Sequence, residues 1–327
     1  MSPNVSLSTV GVDPGDLGEE SLLMQRSWPP PCLDFSNSFL AWSLTARADL
    51  PAFIARAYED GQMVGLGMAL PRRFQTNEWV GNGYIKSYMT VDVSHRGRGI
   101  GVLVRVALLQ ALRSLGVPVL RFGEGMHETR ARLQADYASA SYSVLELGTC
   151  NSASTFIQGK ASSTPEGVSV VMSAERFVRE WASFEVPNLL SESVGQATVD
   201  FEARDLRPRA YVGARNNSGV LQALASVVLA TFKTSHAGRT EIALIERAAF
   251  SPSATAADVR VLADAIGSVL FPLGRGQVMF SNVSGMPWPT LAGAGFRRLP
   301  ARFSALLAVP DRSHALMAVE GTTVAVT

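Results

Sequence analysis

A chain of 327 residues with 47% hydrophobic and 17% charged residues can build packed cores and carries too little charge to be disordered. The length predicts two domains of ordinary size. A net charge of +1 removes any global electrostatic case for a nucleic-acid partner.

Two cysteines, Cys32 and Cys150, cannot make a disulfide framework, and no metal-ligand spacing surrounds either, so no metal is expected. The N-terminus lacks a basic flank followed by an apolar core, which argues against a signal peptide. The longest apolar run, 220–232, is broken by Gln222 and Ser226 and falls short of the roughly 20 residues of a membrane span. A soluble cytoplasmic protein with no membrane partner is the expectation.

Residues 5–10 read as a strand and Leu17–Arg26 as a helix that Trp28-Pro29-Pro30-Pro31 stops. Helix is expected again over 33–48, with Phe39, Trp42 and Leu44 bulky enough to wall a pocket or fill a core. Phe53–Tyr58 and Met63–Leu70 read as a hairpin around Asp60-Gly61. A polar loop over 72–83 precedes a strand from Tyr84 to Val91. Strict alternation there puts Tyr84, Lys86, Tyr88 and Thr90 on one face and Ile85, Ser87, Met89 and Val91 on the other.

The next stretch, Val91-Asp92-Val93-Ser94-His95-Arg96-Gly97-Arg98-Gly99-Ile100-Gly101, joins that strand to a helix over 102–115. Alternating glycines let backbone approach a ligand, and a helix N-terminus offers unpaired N–H groups with partial positive charge. Strand, glycine turn and helix start together make a seat for a pyrophosphate, to which Arg96 and Arg98 can add charge. Ile100, Leu103, Val104, Ala107, Leu108 and Ala111 recur at helical spacing as the buried side.

Val119–Phe122 is a buried strand with Glu124 and His127 after its end, and 129–138 is a helix carrying Tyr137. Strands are expected at 142–147 and 154–158. The small, polar, turn-rich run 160–167 reads as a linker, which gives domains over 1–160 and 168–327 with the linker at 161–167.

The second half repeats the order of the first. It has a strand at 168–172 and a helix at 174–184 with Phe177, Val178 and Trp181 at helical spacing. Strands follow at 210–214, 220–232 and 241–248. Thr255 with Asp258 caps a helix that runs to about Phe271, and a strand at 277–280, a short Pro-rich helical region and closing strands follow. The spacing from Val91 to Val119 matches that from Ala248 to Val278 to within about two residues, which argues for internal duplication. The fold class is α/β with an α+β character, a mixed sheet flanked by helices in each half.

The residues now carry a resemblance. Val91–Gly101 resembles the acetyl-CoA signature of the GNAT superfamily of N-acetyltransferases, an Arg or Gln, two variable residues, Gly, one variable residue, and Gly or Ala. Arg96, Gly99 and Gly101 fill that pattern, with Gly97, Arg98 and Ile100 between them. The strand before it, the helix after it, and Tyr137 followed by Ser141-Tyr142 fit the same family. Val93 stands where the family often has Pro, Arg130 where an Asn often touches the cofactor, and Ser141 where Gly is usual. In the second half Ser251-Pro252-Ser253-Ala254-Thr255-Ala256 replaces the turn, with neither glycine nor arginine. The chain thus resembles tandem GNAT proteins, such as the mycothiol synthase type, with one degenerate half.

The resemblance implies acetyl-CoA as cosubstrate and a small-molecule primary amine as acceptor, joined by direct attack; the alternatives are a CoA-binding regulatory or non-catalytic module, or a transferase using a larger acyl-CoA or a peptide acceptor. Backbone of Met89 and Val91 would bind the pantetheine arm, the Val91 N–H would polarise the thioester, and N–H groups from Arg96 to Val102 would hold the pyrophosphate. Tyr137 would protonate the CoA sulfur; from the residues alone it reads as a core-edge aromatic. Glu124 is the first candidate base and His127 the second, with a solvated loop carboxylate and a surface histidine as the alternatives. Tyr84, Tyr88, Trp79 and Trp42 are candidates for the acceptor pocket or for packing. The second half is left to cover the acceptor site or to form an interface, which leaves a homodimer open.

Overall fold

The computed structural model describes residues 4–10, 15–44, 50–76, 79–124, 130–157, 167–184, 189–235, 238–271, 276–280, 286–310 and 323–324. Two units divide it, Met1–Thr149 with Phe303–Thr323, and Cys150–Arg302 with Val324–Thr327. All of the expected linker but Gly167 lies outside the described residues.

The first half of the chain runs β1 (Asn4–Val10), α1 (Gly18–Ser27), β2 (Cys32–Leu33), α2 (Asn37–Leu44), β3 (Ala52–Glu59), β4 (Gln62–Gln75), β5 (Val80–Val91), a 3-10 turn (Val93–His95), α3 (Ile100–Arg113), β6 (Val119–Glu124), α4 (Arg130–Ser139) and β7 (Tyr142–Ile157). The second half runs β8 (Val168–Val171), α5 (Ala174–Trp181), β9 (Leu189–Glu192), α6 (Gln196–Glu202), β10 (Arg209–Arg215), β11 (Leu221–Lys233), β12 (Arg239–Phe250), α7 (Ala256–Leu270), β13 (Gly276–Phe280), α8 (Trp288–Gly293), β14 (Arg297–Pro310) and β15 (Thr323–Val324).

In the first unit β1, β3, β4 and β5 pair antiparallel in that order, β5 pairs β6 in parallel, and residues 303–308 of β14 pair antiparallel with β6. The second unit has the same plan. There β8, β10, β11 and β12 pair antiparallel, β12 pairs β13 in parallel, and residues 153–157 of β7 pair antiparallel with β13. Each sheet is therefore completed by a segment from the other half of the sequence. β7 and β14 occupy corresponding positions in the two halves and are long enough to serve this purpose.

Both faces of the first sheet are covered, so β3 and β4 read as near-continuous buried runs rather than alternating ones. On one face α3 buries Ile100, Val104, Leu108, Leu109 and Leu112 against Phe53, Ala55, Ala57, Tyr84 and Val119. Gly65 and Gly67 of β4 allow this contact, since a Cβ on Gly65 would stand 2.6 Å from Ile100 Cγ2. Leu103, expected on the buried side, is exposed, because the α3 stripe is centred on 104, 108 and 112. On the other face α1 and α2 set Leu23, Met24, Leu40 and Leu44 against Ile54, Leu66 and Met68.

Other expectations change in the same way. The stretch 72–83 is mostly strand, with Gln75 opposite Val80, because cross-strand pairing draws a polar sequence into the ladder. The Asp60-Gly61 hairpin forms with both residues at positive φ, 51° and 78°. The strand expected at 154–158 is the continuation of β7, and β9 and α6 give no sequence signal used above.

Candidate functional site

The site is built where β5 passes through a short turn into α3. Asp92 ends the strand and caps the turn, its Oδ1 accepting from the Ser94 N–H at 3.0 Å and the Ser94 hydroxyl at 2.6 Å. Arg26 Nε donates to Asp92 Oδ2 at 2.8 Å. The Ser94 hydrogen bonds, with Arg26, hold the Asp92 carboxyl down to about 2.

Past the turn, Gly97 and Gly99 sit at φ 80° and 79°, in the left-handed region where a side chain is strained. Gly99 is the N-cap of α3. The Arg96 N–H donates to Val93 O, and the Val102 and Leu103 N–H groups donate to Gly99 O. Between them, no described residue accepts a hydrogen bond from the N–H groups of Gly97, Arg98, Gly99, Ile100 or Gly101. Space is open around the Cα of both Gly97 and Gly99. Five consecutive donors at the positive end of a helix form a concave seat for an anion.

The guanidinium groups expected to add charge to this seat are engaged elsewhere. Arg96 Nη2 donates to Ser27 O at 2.7 Å, and Arg98 forks onto Glu59, with Nη1 2.8 Å from Oε2. His95 Nε2 lies 3.0 Å from the same Glu59. These side chains fasten the turn to α1 and to the β3–β4 hairpin, so the seat itself is backbone.

Upstream, β5 and β6 pair only over Tyr84–Lys86 against Val119–Arg121. Beyond Lys86 no described strand pairs with that edge of β5. The ladder to β4 shifts at this place. Leu66 is opposite Thr90 and Met68 is opposite Ser87, so Tyr88 and Met89 together face the single residue Gly67. This is a β-bulge, with Tyr88 at φ 54°.

The bulge overturns the expected alternation. Tyr84 and Lys86 share the α3 face with Met89 and Val91, whereas Tyr88 turns to the α1–α2 face against Phe35 and Phe39. The Asp92 N–H donates to Val64 O of β4, so by strand alternation the N–H groups of Val91 and Met89 point to the unpaired edge. Sequence reasoning missed the bulge because Tyr is a poor marker for a positive φ.

Tyr137, on α4, is 1% exposed, and its hydroxyl has no hydrogen-bond partner among the described residues. Burial pushes the phenol up to about 12, against the opposing pull of Arg121 and Arg105. Lys86, 4% exposed, holds its Nζ 5.0 Å from the Tyr137 ring centroid, also without a hydrogen-bond partner. Burial, then Arg121 and Arg105, pull its ammonium well below the ordinary lysine value. Tyr142 meets Tyr137 edge-on with centroids 6.4 Å apart, and Arg105 pairs with Asp136.

Glu124 ends β6, in register with Phe303, but its side chain lies outside the described residues, as does all of His127. Tyr84 is packing, with its hydroxyl donating to Pro51 O and its ring against Phe53. On the α1–α2 face Trp28, Phe35, Phe39, Trp42 and Tyr88 form an aromatic cluster, and Trp28 Nε1 donates to Thr90 Oγ1 at 2.9 Å. In the sequence Trp28 carries no functional expectation, and Lys86 stands out only through a strand face, with two tyrosines, that is unusual for simple burial. The signal for Lys86 was a charged residue on a strand otherwise built for burial.

The second unit repeats the frame without the seat. Its β12 carries a bulge at Glu246, since Ser226 faces Arg247 and Val227 faces Ile245. At the start of α7, Thr255 and Asp258 form a reciprocal capping box. Among the turn's donors, the Ser251 N–H reaches Gln222 O, Ser253 reaches Ser251 Oγ, Ala254 reaches Ser251 O and Thr255 reaches Asp258 Oδ2. Pro252 has no N–H to offer.

Five open donors on a helix start lie next to an unpaired strand edge after a bulge. The model of the acetyltransferase (GNAT) family matches residues 19–133, so the chain carries a GNAT acyltransferase domain there. No curated protein matches the chain.

Solved structures extend the likeness in fold to both halves. The Saccharomyces cerevisiae N-myristoyltransferase with bound myristoyl-CoA aligns with TM-score 0.65 at 10% identity, covering 93% of this chain and 82% of that one. A tandem GNAT protein from the clavulanic acid biosynthesis pathway aligns with TM-score 0.63 at 15% identity, covering 95% of this chain and 100% of that one. A probable N-acyltransferase from Enterococcus faecalis V583 aligns with TM-score 0.54 at 13% identity over 94% of this chain and 73% of its own. The whole chain thus has a tandem GNAT fold. Among the described residues no His, Cys, Asp and Glu group could hold a metal, and no helix is long and apolar enough to cross a membrane.

Proposed function

We propose that this protein is an N-acetyltransferase that moves acetyl from acetyl-CoA to the primary amine of a small molecule by direct attack. The observation that carries this reading is the run of five open N–H groups from Gly97 to Gly101 at the head of α3. In this reading they hold the CoA pyrophosphate, flanked by Arg96 and Val102. The pantetheine arm lies along Met89 and Val91 as an added strand, and the Val91 N–H polarises the thioester carbonyl.

Tyr137 gives its proton to the departing sulfur. Burial holds the phenol up at about 12, so it is protonated at every working pH but is a weaker acid than a free phenol, and donation needs its phenolate stabilised. Glu124, at the end of β6, is the base for the acceptor amine. Catalysis belongs to the first unit, and the second lacks a CoA seat.

Calorimetry with CoA and acetyl-CoA, followed by CoA thiol release against a panel of amines, tests this reading. Binding of CoA together with amine-dependent thiol release supports it, and absence of CoA binding removes it. CoA binding with no thiol release from any amine would favour a regulatory CoA-binding module.

A second reading is a longer acyl chain or a peptide acceptor. It is favoured by the likeness in fold, over 93% of this chain, to an N-myristoyltransferase holding myristoyl-CoA. The same thiol assay run with acyl-CoAs of increasing length, and with N-terminal glycine peptides as acceptors, separates the two.

A further inference from the structure

Lys86 is placed where a lysine is costly. It lies inside the first unit, on the last β5 residue that pairs with β6, and its Nζ finds no hydrogen-bond acceptor among the described residues. Burying a charged group without a partner is strongly unfavourable, and an apolar residue would pack there at no such cost. The one group it addresses is the face of the Tyr137 ring, 5.0 Å from Nζ to centroid. The Tyr137 hydroxyl is equally buried and, among the described residues, equally without a partner. Two neighbouring polar groups, both desolvated and neither bonded to another described residue, are arranged for an event that changes their charge.

That event follows from the acyl transfer proposed above, on which this inference rests. The acceptor nitrogen forms a bond to the acyl carbon, the carbon–sulfur bond breaks, and the Tyr137 proton moves to sulfur. The surplus proton on the new amide nitrogen passes to Glu124 and from there to solvent, and Tyr137 regains one from solvent. Between those steps Tyr137 is a phenolate in a site that disfavours it. We propose that Lys86 is a positioning residue for Tyr137, whose ammonium fixes the ring by its face and stabilises that transient phenolate.

The other groups facing the pair are Arg121 from β6, Arg105 and Asp136 bonded to each other across α3 and α4, and Tyr142 from β7. Arg121 and Arg105 pull the phenol down and Asp136 opposes. Of the cations facing the ring, Lys86 and Arg121 are the two from β5 and β6. Lys86 is the one of the two that can lose its charge as pH rises, because burial has already lowered its proton affinity.

The test is steady-state kinetics and tyrosine titration on the full chain. Lys86→Met keeps the volume and removes the charge, and Lys86→Arg keeps a charge that does not titrate. Lys86→Met should lower kcat about thirtyfold with little change in acyl-CoA affinity, the size of a desolvated cation–ring contact. Combined with Tyr137→Phe it should add nothing further. The kcat of the natural protein should fall on the alkaline side, and Lys86→Arg should move that fall to higher pH. The tyrosinate absorbance assigned to Tyr137 by difference from Tyr137→Phe should titrate lower in Lys86→Arg than in Lys86→Met, since Lys86 itself loses its charge before Tyr137 ionises.

An unchanged kcat in Lys86→Met, or full additivity with Tyr137→Phe, would overturn the inference while leaving CoA binding and turnover intact. If Lys86→Arg does not fold, the Lys86→Met cycle with Tyr137→Phe decides alone. Failure of the natural protein to bind CoA sinks the acyl-transfer reading instead, and the tyrosinate titration remains as the independent check on the Lys86–Tyr137 coupling.

Discussion

The N-termini of α3 and α7 hold the same place in two units of the same strand order, and they use their backbone donors in opposite ways. At α3 two left-handed glycines lift the chain so that five N–H groups stay open. At α7 serine, threonine and aspartate side chains close the same region on itself. The bulge before each helix is kept, at Tyr88–Met89 and at Glu246. What surrounds it differs. In the first unit it is aromatic, with Tyr88 between Phe35 and Phe39. In the second it is ionic, with Arg247 bonded to Glu192 and Glu202, and Arg209 to Glu246 and Asp205. The frame is therefore common to both units, and ligand capacity depends on a few residues at one turn.

This contrast can be broken most severely at the ion network. Arg247→Met should destabilise the protein by about 3–5 kcal/mol, because Glu192 and Glu202 keep their buried carboxylates and lose that guanidinium. Denaturant unfolding measures it. No comparable loss is expected from Arg98→Met in the first unit, whose pair with Glu59 is half exposed.

At the turn itself, Gly99→Val should weaken CoA about 100-fold or more by calorimetry, since a β-branched residue resists a φ of 79° and the seat loses its shape. The matching change in the second unit, Thr255→Ala, should leave CoA affinity alone and cost about 1 kcal/mol of stability through the lost cap. A CoA response to Thr255→Ala would mean that the second turn does contribute to the cofactor site.

The smallest effect concerns acid. Asp92 has a folded value of about 2, below its ordinary range, so the stability it contributes is present above about pH 4 and is lost as pH falls towards 2. Asp92→Asn should flatten that part of the stability profile, and no residue in the α7 turn should do the same. Chemical unfolding at a series of pH values reads it.

Much of the frame was legible because it rests on local signals. The Asp60-Gly61 turn, the Thr255–Asp258 box, the α3 stripe and the order of elements in both halves follow from short-range patterns. The site was legible only where glycine spacing marked it. Lys86 was visible as a residue but not as a neighbour of Tyr137, because α4 and β5 meet through packing across more than forty residues of chain. The face reversal at Tyr88 escaped because a bulge changes register without a composition signal.

The sequence by itself determined that two like halves exist, that one of them has a glycine turn able to leave backbone donors open, and that the other does not. Those properties reside in residue type, since only glycine takes a left-handed dihedral without strain and only side chains such as Thr255 and Asp258 can close a helix start. Tertiary structure decided how many donors stay open, where Arg96 and Arg98 point their charge, and which strand segment completes each sheet. It also decided that Lys86 lies buried over Tyr137. Those depend on partners distant in sequence, and no local pattern encodes a partner's position.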